Sequence, residues 1–288
     1  MKVLLTGGSG QLGQALLRSA PPGIELIAPT RAEFDLADAG SLERWLETHK
    51  PAAVINAGAY TAVDKAESEP ELAFTINANA PGVLAQGCAR IDAKLVHLST
   101  DFVFDGRRGI AYQPDDERTP LSVYGASKAE GERRIAAVPG LRWLTIRTAW
   151  VYAAHGKNFM LTMLRLFGER KTVSVVADQI GTPTSAGTLG ACVFRALASE
   201  GPSQVLHYTD AGVASWYDFA VAIYEEARAL GLLSHDVEIT PITSAQYPTP
   251  ARRPAFSVLD KRAALERLQL QPIHWRKVLR SVLKEKVG

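Results

Sequence analysis

Tyr124 and Lys128 stand four residues apart in Ser122–Ala137, a stretch patterned as a helix, so they share one helical face. A free phenol titrates near about 10, too high to trade protons easily at neutral pH. An ammonium beside it favours the phenolate and lowers that value. The same ammonium can hydrogen-bond a nicotinamide ribose, holding cofactor and acid in one geometry. Of the eight tyrosines, only Tyr124 has a lysine four places on. A second group lies about a hundred residues earlier: Gly7-Gly8-Ser9-Gly10-Gln11-Leu12-Gly13, directly after the apolar run Val3-Leu4-Leu5. Glycines in a strand–turn–helix let the chain turn sharply, bring backbone close to a pyrophosphate and seat helix on strand. Helix amides and the helix dipole then face the phosphates. Neither motif decides the chemistry alone. Together they point to a nicotinamide-dependent reduction of a carbonyl, or the reverse oxidation.

Such chemistry needs a third group on the reacting oxygen. Leu95-Val96-His97-Leu98-Ser99-Thr100-Asp101 is a strand with a polar end, and either Ser99 or Thr100 is placed to donate there. His97, inside the apolar part, reads as a core residue. The strand Ile24–Ala28 is expected to end near the adenosine ribose, where NAD sites place a carboxylate. This chain has Pro29-Thr30-Arg31 instead. Arg31 suits a 2′-phosphate, with Thr30 as a further donor, which favours NADPH with NADH also accepted. Glu33 is close by, and Asp35-Leu36 follow as a border for the adenine ring.

The elements that must position these groups alternate. Short apolar runs fall at Lys2–Leu5, Ile24–Ala28, Ala53–Asn56, Lys94–Ser99 and Trp143–Arg147. Helical patterns fall between them at Gln11–Ser19, Ser41–His49, Pro70–Arg90 and Ser122–Ala137. Continuous apolar strands separated by helices predict an α/β fold with a doubly wound parallel sheet, ligands at the carboxyl ends of the strands. Residues 1–150 are expected to form this dinucleotide-binding domain, rejoined by about 173–200, and 151–288 mainly a smaller mixed α/β substrate lobe. Within the lobe the pattern predicts helices at Asn158–Glu169, Ser185–Ser199 and Ser215–Leu230, and strands at Val173–Ala177 and Val205–Thr209. Four prolines make Thr240–Pro254 an ordered loop or edge strand.

Composition excludes several classes. With 47% hydrophobic and 22% charged residues among 288, the chain is an ordinary globular one. A net charge of +2 offers no electrostatic case for nucleic acid or an acidic membrane surface. No apolar run is long enough to span a bilayer. Cys88 and Cys192 sit in helical patterns and read as buried thiols, so a reducing, cytoplasmic setting is expected. The six histidines lack ligand spacing, and no metal is expected.

Further segments carry a resemblance. Asn56 through Glu67, Ser99 through Gly106, Tyr124 through Lys128, Arg147 through Tyr152, Asn158-Phe159, Asp178 through Thr184 and Tyr247 through Pro254 resemble the extended short-chain dehydrogenase/reductases, and within them the dTDP-4-dehydrorhamnose reductases. The likeness covers nearly the whole chain. It implies reduction of the 4-keto group of dTDP-4-dehydro-L-rhamnose to dTDP-L-rhamnose for surface polysaccharide, a small nucleotide-sugar substrate and NADPH. It further implies Tyr124 as proton donor, Lys128 as its partner and Thr100 as third member. Thr100, Asp101, Val103, Tyr124 and Trp150 would line the sugar pocket, and Arg252 or Arg253 would neutralise the diphosphate. Gly7, Gly10, Gln11, Leu12, Gly13, Asp35, Leu36, Ala57, Gly58, Ala59, Tyr60 and Lys128 would contact the cofactor. Members of the family are described as dimers bridged by magnesium through helix carboxylates. The matching helix, Ser185–Ser199, carries no acid before Glu200, so a homodimer is expected to lack that metal. The rival enzyme reading is a nucleotide-sugar epimerase or dehydratase. Dehydratases of the superfamily place acids after this threonine, whereas Asp101 is followed by Phe102, which favours simple reduction. A non-catalytic regulatory subunit would need the fold but not an intact Thr100, Tyr124 and Lys128.

Overall fold

The computed structural model describes residues 1–286. Strands β1 (Lys2–Thr6), β2 (Glu25–Ile27), β3 (Ala53–Asn56), β4 (Lys94–Thr100) and β5 (Trp143–Thr148) join the strand Gln204–His207 in one sheet. Every pairing is parallel, in the order Gln204–His207, β5, β4, β3, β1, β2. The predicted doubly wound α/β fold is what forms. The chain leaves β1 towards β2, then crosses back to β3 on the other side. The resulting switch point between β1 and β3 opens the crevice in which such sheets bind ligands.

Alternation along β1 shows why the sheet holds. Val3 and Leu5 point to one face and meet Leu16 of α1 (Gln11–Arg18) and Leu189, Val193 and Leu197 of the helix Ala186–Ala198. Leu4 points to the other, with Leu42, Leu46 and Leu84 from the helices Ala39–His49 and Ala80–Arg90. All are buried, and each contributes about 1.5–3 kcal/mol of apolar burial.

The second half supplies both layers. The helix Ala186–Ala198 and strand Gln204–His207 return to the sheet, while Thr172–Val176 pairs in parallel with Glu238–Ile242 elsewhere. This small ribbon packs with the helices Phe159–Glu169, Trp216–Ala229 and Trp275–Lys284 around Met160, Phe167, Phe219 and Leu279. The proline-rich stretch is an edge strand only as far as Ile242, followed by a short 3-10 turn at Ser244–Gln246 and then irregular chain.

Pro70–Arg90, expected as one helix, is helical throughout but changes type along its length. A helix at Pro70–Phe74 passes into a π-helical turn at Thr75–Asn79 and then Ala80–Arg90. Pro81 has no amide to return to the Asn77 carbonyl. That carbonyl is instead crossed by the helix Val123–Ala136 at Gly131, where a Cβ would lie 2.1 Å from it. No described helix is long and apolar enough to cross a membrane.

Candidate active site

Thr100 ends β4, and its hydroxyl accepts from the Phe102 amide at 3.1 Å, opening a short turn at Asp101–Val103. The helix Val123–Ala136 starts against this turn. Ser122 caps it by accepting from the Gly125 amide at 3.2 Å. Gly125 comes so close to the turn that a Cβ would meet the Phe102 carbonyl at 2.2 Å. Local sequence thereby fixes how the helix begins and sets Tyr124 against the end of β4, its ring edge-on to Phe102 at 5.6 Å.

The Tyr124 hydroxyl lies beside that of Thr100. Burial pushes the phenol up to about 12; Thr100 opposes this, and the Asp101 carboxyl adds to it. Lys128 is 2% exposed and donates to the Leu98 carbonyl at 2.6 Å. Burial pulls it down to about 8, against the pull of Glu132 one turn on. The sequence reading expected the ammonium to lower the phenol. The phenol instead moves up: burial is the largest influence on it, and Lys128 Nζ is turned to the Leu98 carbonyl. Tyr124 therefore holds its proton at neutral pH, which suits an acid.

Of the two hydroxyls left open by the sequence, Thr100 is the one beside Tyr124. Ser99 donates to Glu132 Oε1 at 2.5 Å on the opposite side of the strand. Asp101 is 2% exposed; one oxygen accepts from Thr100 at 3.1 Å and the other has no partner. Burial raises it to about 6.

At the switch point the glycines leave space of a definite shape. Gly7 has φ +69, and a Cβ on it would lie 2.7 Å from Gly58, so the turn after β1 and the loop after β3 touch. A Cβ on Gly13 would meet the Gly7 carbonyl at 2.1 Å, which seats α1 against the turn. Gly10 caps α1 without a side-chain hydrogen bond, and no acid stands in the first turn. Free amides at a helix start, reached through a groove without side chains, fit a pyrophosphate. Gln11 accepts from Asn158 Nδ2 at 2.7 Å and donates to the Lys157 carbonyl at 3.3 Å, tying the turn to the second lobe. Leu12 and Ala57 pack against the sheet core. Leu36 covers Gly58, and Ala59 is half-buried beside it. The Tyr60 hydroxyl donates to Glu69 at 2.8 Å.

Beyond β2, Arg31 is 76% exposed and lies 3.5 Å from Asp35. The amide and hydroxyl of Thr30 both donate to Glu33 at 2.8 Å, so that carboxylate is turned back on its own loop and away from a ribose role.

The remaining predicted residues spread out. Val103 is fully buried with Phe104, Tyr112 and Leu259, so its side chain makes core contacts. Trp150, in the left-handed region at φ +49, stacks on Trp216 at 3.5 Å. Gly181 lies beneath its indole, where a Cβ would sit 2.7 Å away. Trp216 donates to Gln179 at 3.2 Å and, with Phe159, Gln179, Tyr247 and Arg253, lines a groove of about 970 Å³. Arg253 is closed in a two-pronged pair with Asp64, 2.8 and 3.1 Å, and also donates to Thr249. Arg252 is exposed.

Reasoning from sequence missed Trp216, the buried pair Glu132–Arg147 and the row Thr6, Asn56 and His97 behind Lys128. Asn77, whose side chain clasps both backbone groups of Tyr60 at 2.8 and 2.9 Å, was also missed. Buried polar residues in apolar strands were the available signal. Among the described residues no group of three or more His, Cys, Asp or Glu is placed to hold a metal.

The parallel sheet and its glycine turn define a doubly wound, Rossmann-type α/β protein. Comparison narrows this. The chain matches the family described as RmlD substrate binding domain over residues 1–287. It is 44% identical over 286 residues to a dTDP-4-dehydrorhamnose reductase of Burkholderia thailandensis, covering 96% of each chain. The crystal structure of a dTDP-4-dehydrorhamnose reductase from Clostridium acetobutylicum superposes with TM-score 0.93 at 36% identity, covering 100% of both chains. A Bacillus anthracis dTDP-4-dehydrorhamnose reductase in complex with NADP superposes with TM-score 0.92 at 32% identity over 99% of both. The chain belongs to the RmlD substrate binding domain family.

Proposed function

We propose that the protein is an NADPH-dependent reductase of the 4-keto group of dTDP-4-dehydro-L-rhamnose, forming dTDP-L-rhamnose in the cytoplasm as a precursor of surface polysaccharide. The observation that carries this is the meeting of Tyr124 and Thr100 at the end of β4 with Lys128 buried behind them. Relatives similar over nearly the whole chain bear that reductase name, and one was crystallised with NADP.

The glycine turn, the start of α1 and Arg31 would hold NADPH, which would supply the hydride for the carbonyl carbon. Tyr124 gives its proton to the carbonyl oxygen as that oxygen becomes an alkoxide. A phenol kept protonated by burial is ready for this at neutral pH. Thr100 holds the oxygen in reach of Tyr124, and Lys128 steadies the phenolate left behind. Trp150 and Asp101 border the sugar, while Arg252 or Arg253 meets the diphosphate.

The test is an assay with dTDP-4-dehydro-L-rhamnose made in situ by the preceding enzymes, following NADPH and NADH absorbance separately. NADPH is expected to be consumed in step with dTDP-L-rhamnose, faster than NADH. No consumption of either cofactor would remove the reductase reading.

A further inference from the structure

Behind Lys128 runs a row of buried side chains that the proton-transfer group does not include. The Gly58 amide donates to Thr6 Oγ1 at 2.9 Å, and Thr6 Oγ1 donates to Asn56 Oδ1 at 2.7 Å. Asn56 Nδ2 lies 2.9 Å from His97 Nδ1, and His97 Nε2 faces Lys128 Nζ at 3.5 Å. Thr6, Asn56 and His97 are each at most 2% exposed.

The row has a direction. A backbone amide can only donate, so Thr6 accepts from Gly58 and gives its own proton to Asn56. That orients the Asn56 amide with its NH2 towards the imidazole. His97 Nδ1 must then accept, and a neutral ring carries its proton on Nε2. Burial and the adjacent lysine hold His97 well below its ordinary value, so the ring is neutral. Lys128 Nζ thus meets a carbonyl acceptor on one side and an N–H donor on the other. An ammonium, with donors only, is matched by the first and opposed by the second. An amine, with a lone pair, satisfies both.

We propose that His97 is a positioning residue for the proton-transfer group: anchored through Asn56 and Thr6 to the Gly58 amide, its Nε2–H faces Lys128, holds the amine against the Leu98 carbonyl and disfavours its protonation. Other charged groups around Lys128 do not substitute for this. Tyr124 and Glu132 flank it on its own helix, and Glu132 is engaged by Arg147 from β5, by Arg118 and by Ser99. From β4, His97 is the titratable side chain that faces it. The row also ends at Gly58, in the loop that abuts the glycine turn, so the charge of Lys128 and the cofactor crevice share one chain of hydrogen bonds.

The inference rests on the reductase reading for its kinetic arm alone. In the first arm, ¹⁵N NMR of the labelled full chain without ligands reads the His97 tautomer, with the proton expected on Nε2. In the second, the pH profile of kcat/KM with NADPH is measured for the wild type, His97→Asn and Asn56→Asp. Asparagine at 97 keeps a partner for Asn56 but removes the N–H facing Lys128. Aspartate at 56 draws the imidazole proton to Nδ1 and turns a lone pair to the lysine. Both variants should raise the basic limb by about half a unit or more, Asn56→Asp at least as far as His97→Asn. A proton on Nδ1 in the wild type, a limb that moves less than this, or one that falls would each overturn the proposal. If neither variant folds, the wild-type tautomer decides. A wild-type chain that reduces nothing sinks the proposed function and leaves the tautomer result standing.

Discussion

Glu132 and Lys128 lie one turn apart on the same helix and are both 2% exposed, yet the protein accommodates their charges in opposite ways. Glu132 is fully answered. Arg147 reaches it with two hydrogen bonds of 2.7 and 2.9 Å, Ser99 donates to it, and Arg118 approaches at 3.3 Å. Lys128 has only neutral partners, the Leu98 carbonyl and His97. A buried charge with a charged, well-hydrogen-bonded partner stays charged, and removing one member is costly. A buried charge with neutral partners lowers its cost by approaching neutrality instead. The first arrangement holds β4, β5 and the helix together. The second leaves a group near its titration point beside the reacting centre.

The contrast can be broken most severely at Glu132. Glu132→Ala strands Arg147 and should cost about 3–5 kcal/mol of unfolding free energy, read by urea denaturation. A loss below about 1 kcal/mol would mean the pair is not the brace described. Next in size is Tyr124→Phe, which should lower turnover roughly 10²–10⁴-fold while leaving cofactor binding and melting temperature near wild type. Equal activity would take Tyr124 out of the mechanism.

Lys128 itself allows a subtler measurement. Its folded value of about 8 lies below the roughly 10.4 of an unfolded chain, so between these the unfolded state holds the extra proton. Stability contributed by this site therefore rises with pH across that window, by on the order of 1 kcal/mol per unit. Lys128→Met lacks the rise, so its stability advantage at pH 7 should shrink towards pH 10. Lys261, also pulled down to about 8, is common to both chains and cancels in the difference. Parallel stability curves would show that Lys128 is no harder to charge here than in water.

The smallest effect concerns cations at the periphery. Arg253 is closed on Asp64, whereas Arg31 is largely exposed with one loose contact, so Arg31 is the freer to meet a phosphate. Arg31→Ala should weaken NADPH binding about tenfold and NADH binding much less, measured by titration calorimetry. Equal losses would refute the 2′-phosphate assignment.

Most of the sheet was legible because buried parallel strands are written as unbroken apolar runs, and because Gly7–Gly13 follows one of them. The Tyr124–Lys128 spacing was legible for the same local reason. What escaped depends on register between strands. Asn56 and His97 are direct neighbours only because β3 and β4 pair with those two residues opposite each other, and either alone looks like an ordinary core polar residue. The choice between Ser99 and Thr100 likewise needed the helix carrying Glu132. The π-helical turn at Asn77 needed the crossing helix. The helices Arg262–Arg267 and Trp275–Lys284 were not anticipated; the second buries Trp275, Val278, Leu279, Val282 and Leu283 against a lobe assembled from distant segments.

Gly181 makes one side chain's fate depend on another's. A methyl group there would enter the volume now filled by the Trp150 indole, which is itself clamped flat against Trp216. Position 181 can therefore grow only if the indole at position 150 shifts or shrinks in the same step. Enlarging or reshaping that end of the molecule therefore calls for paired exchanges, and a library that varies these sites one at a time would contain mostly casualties.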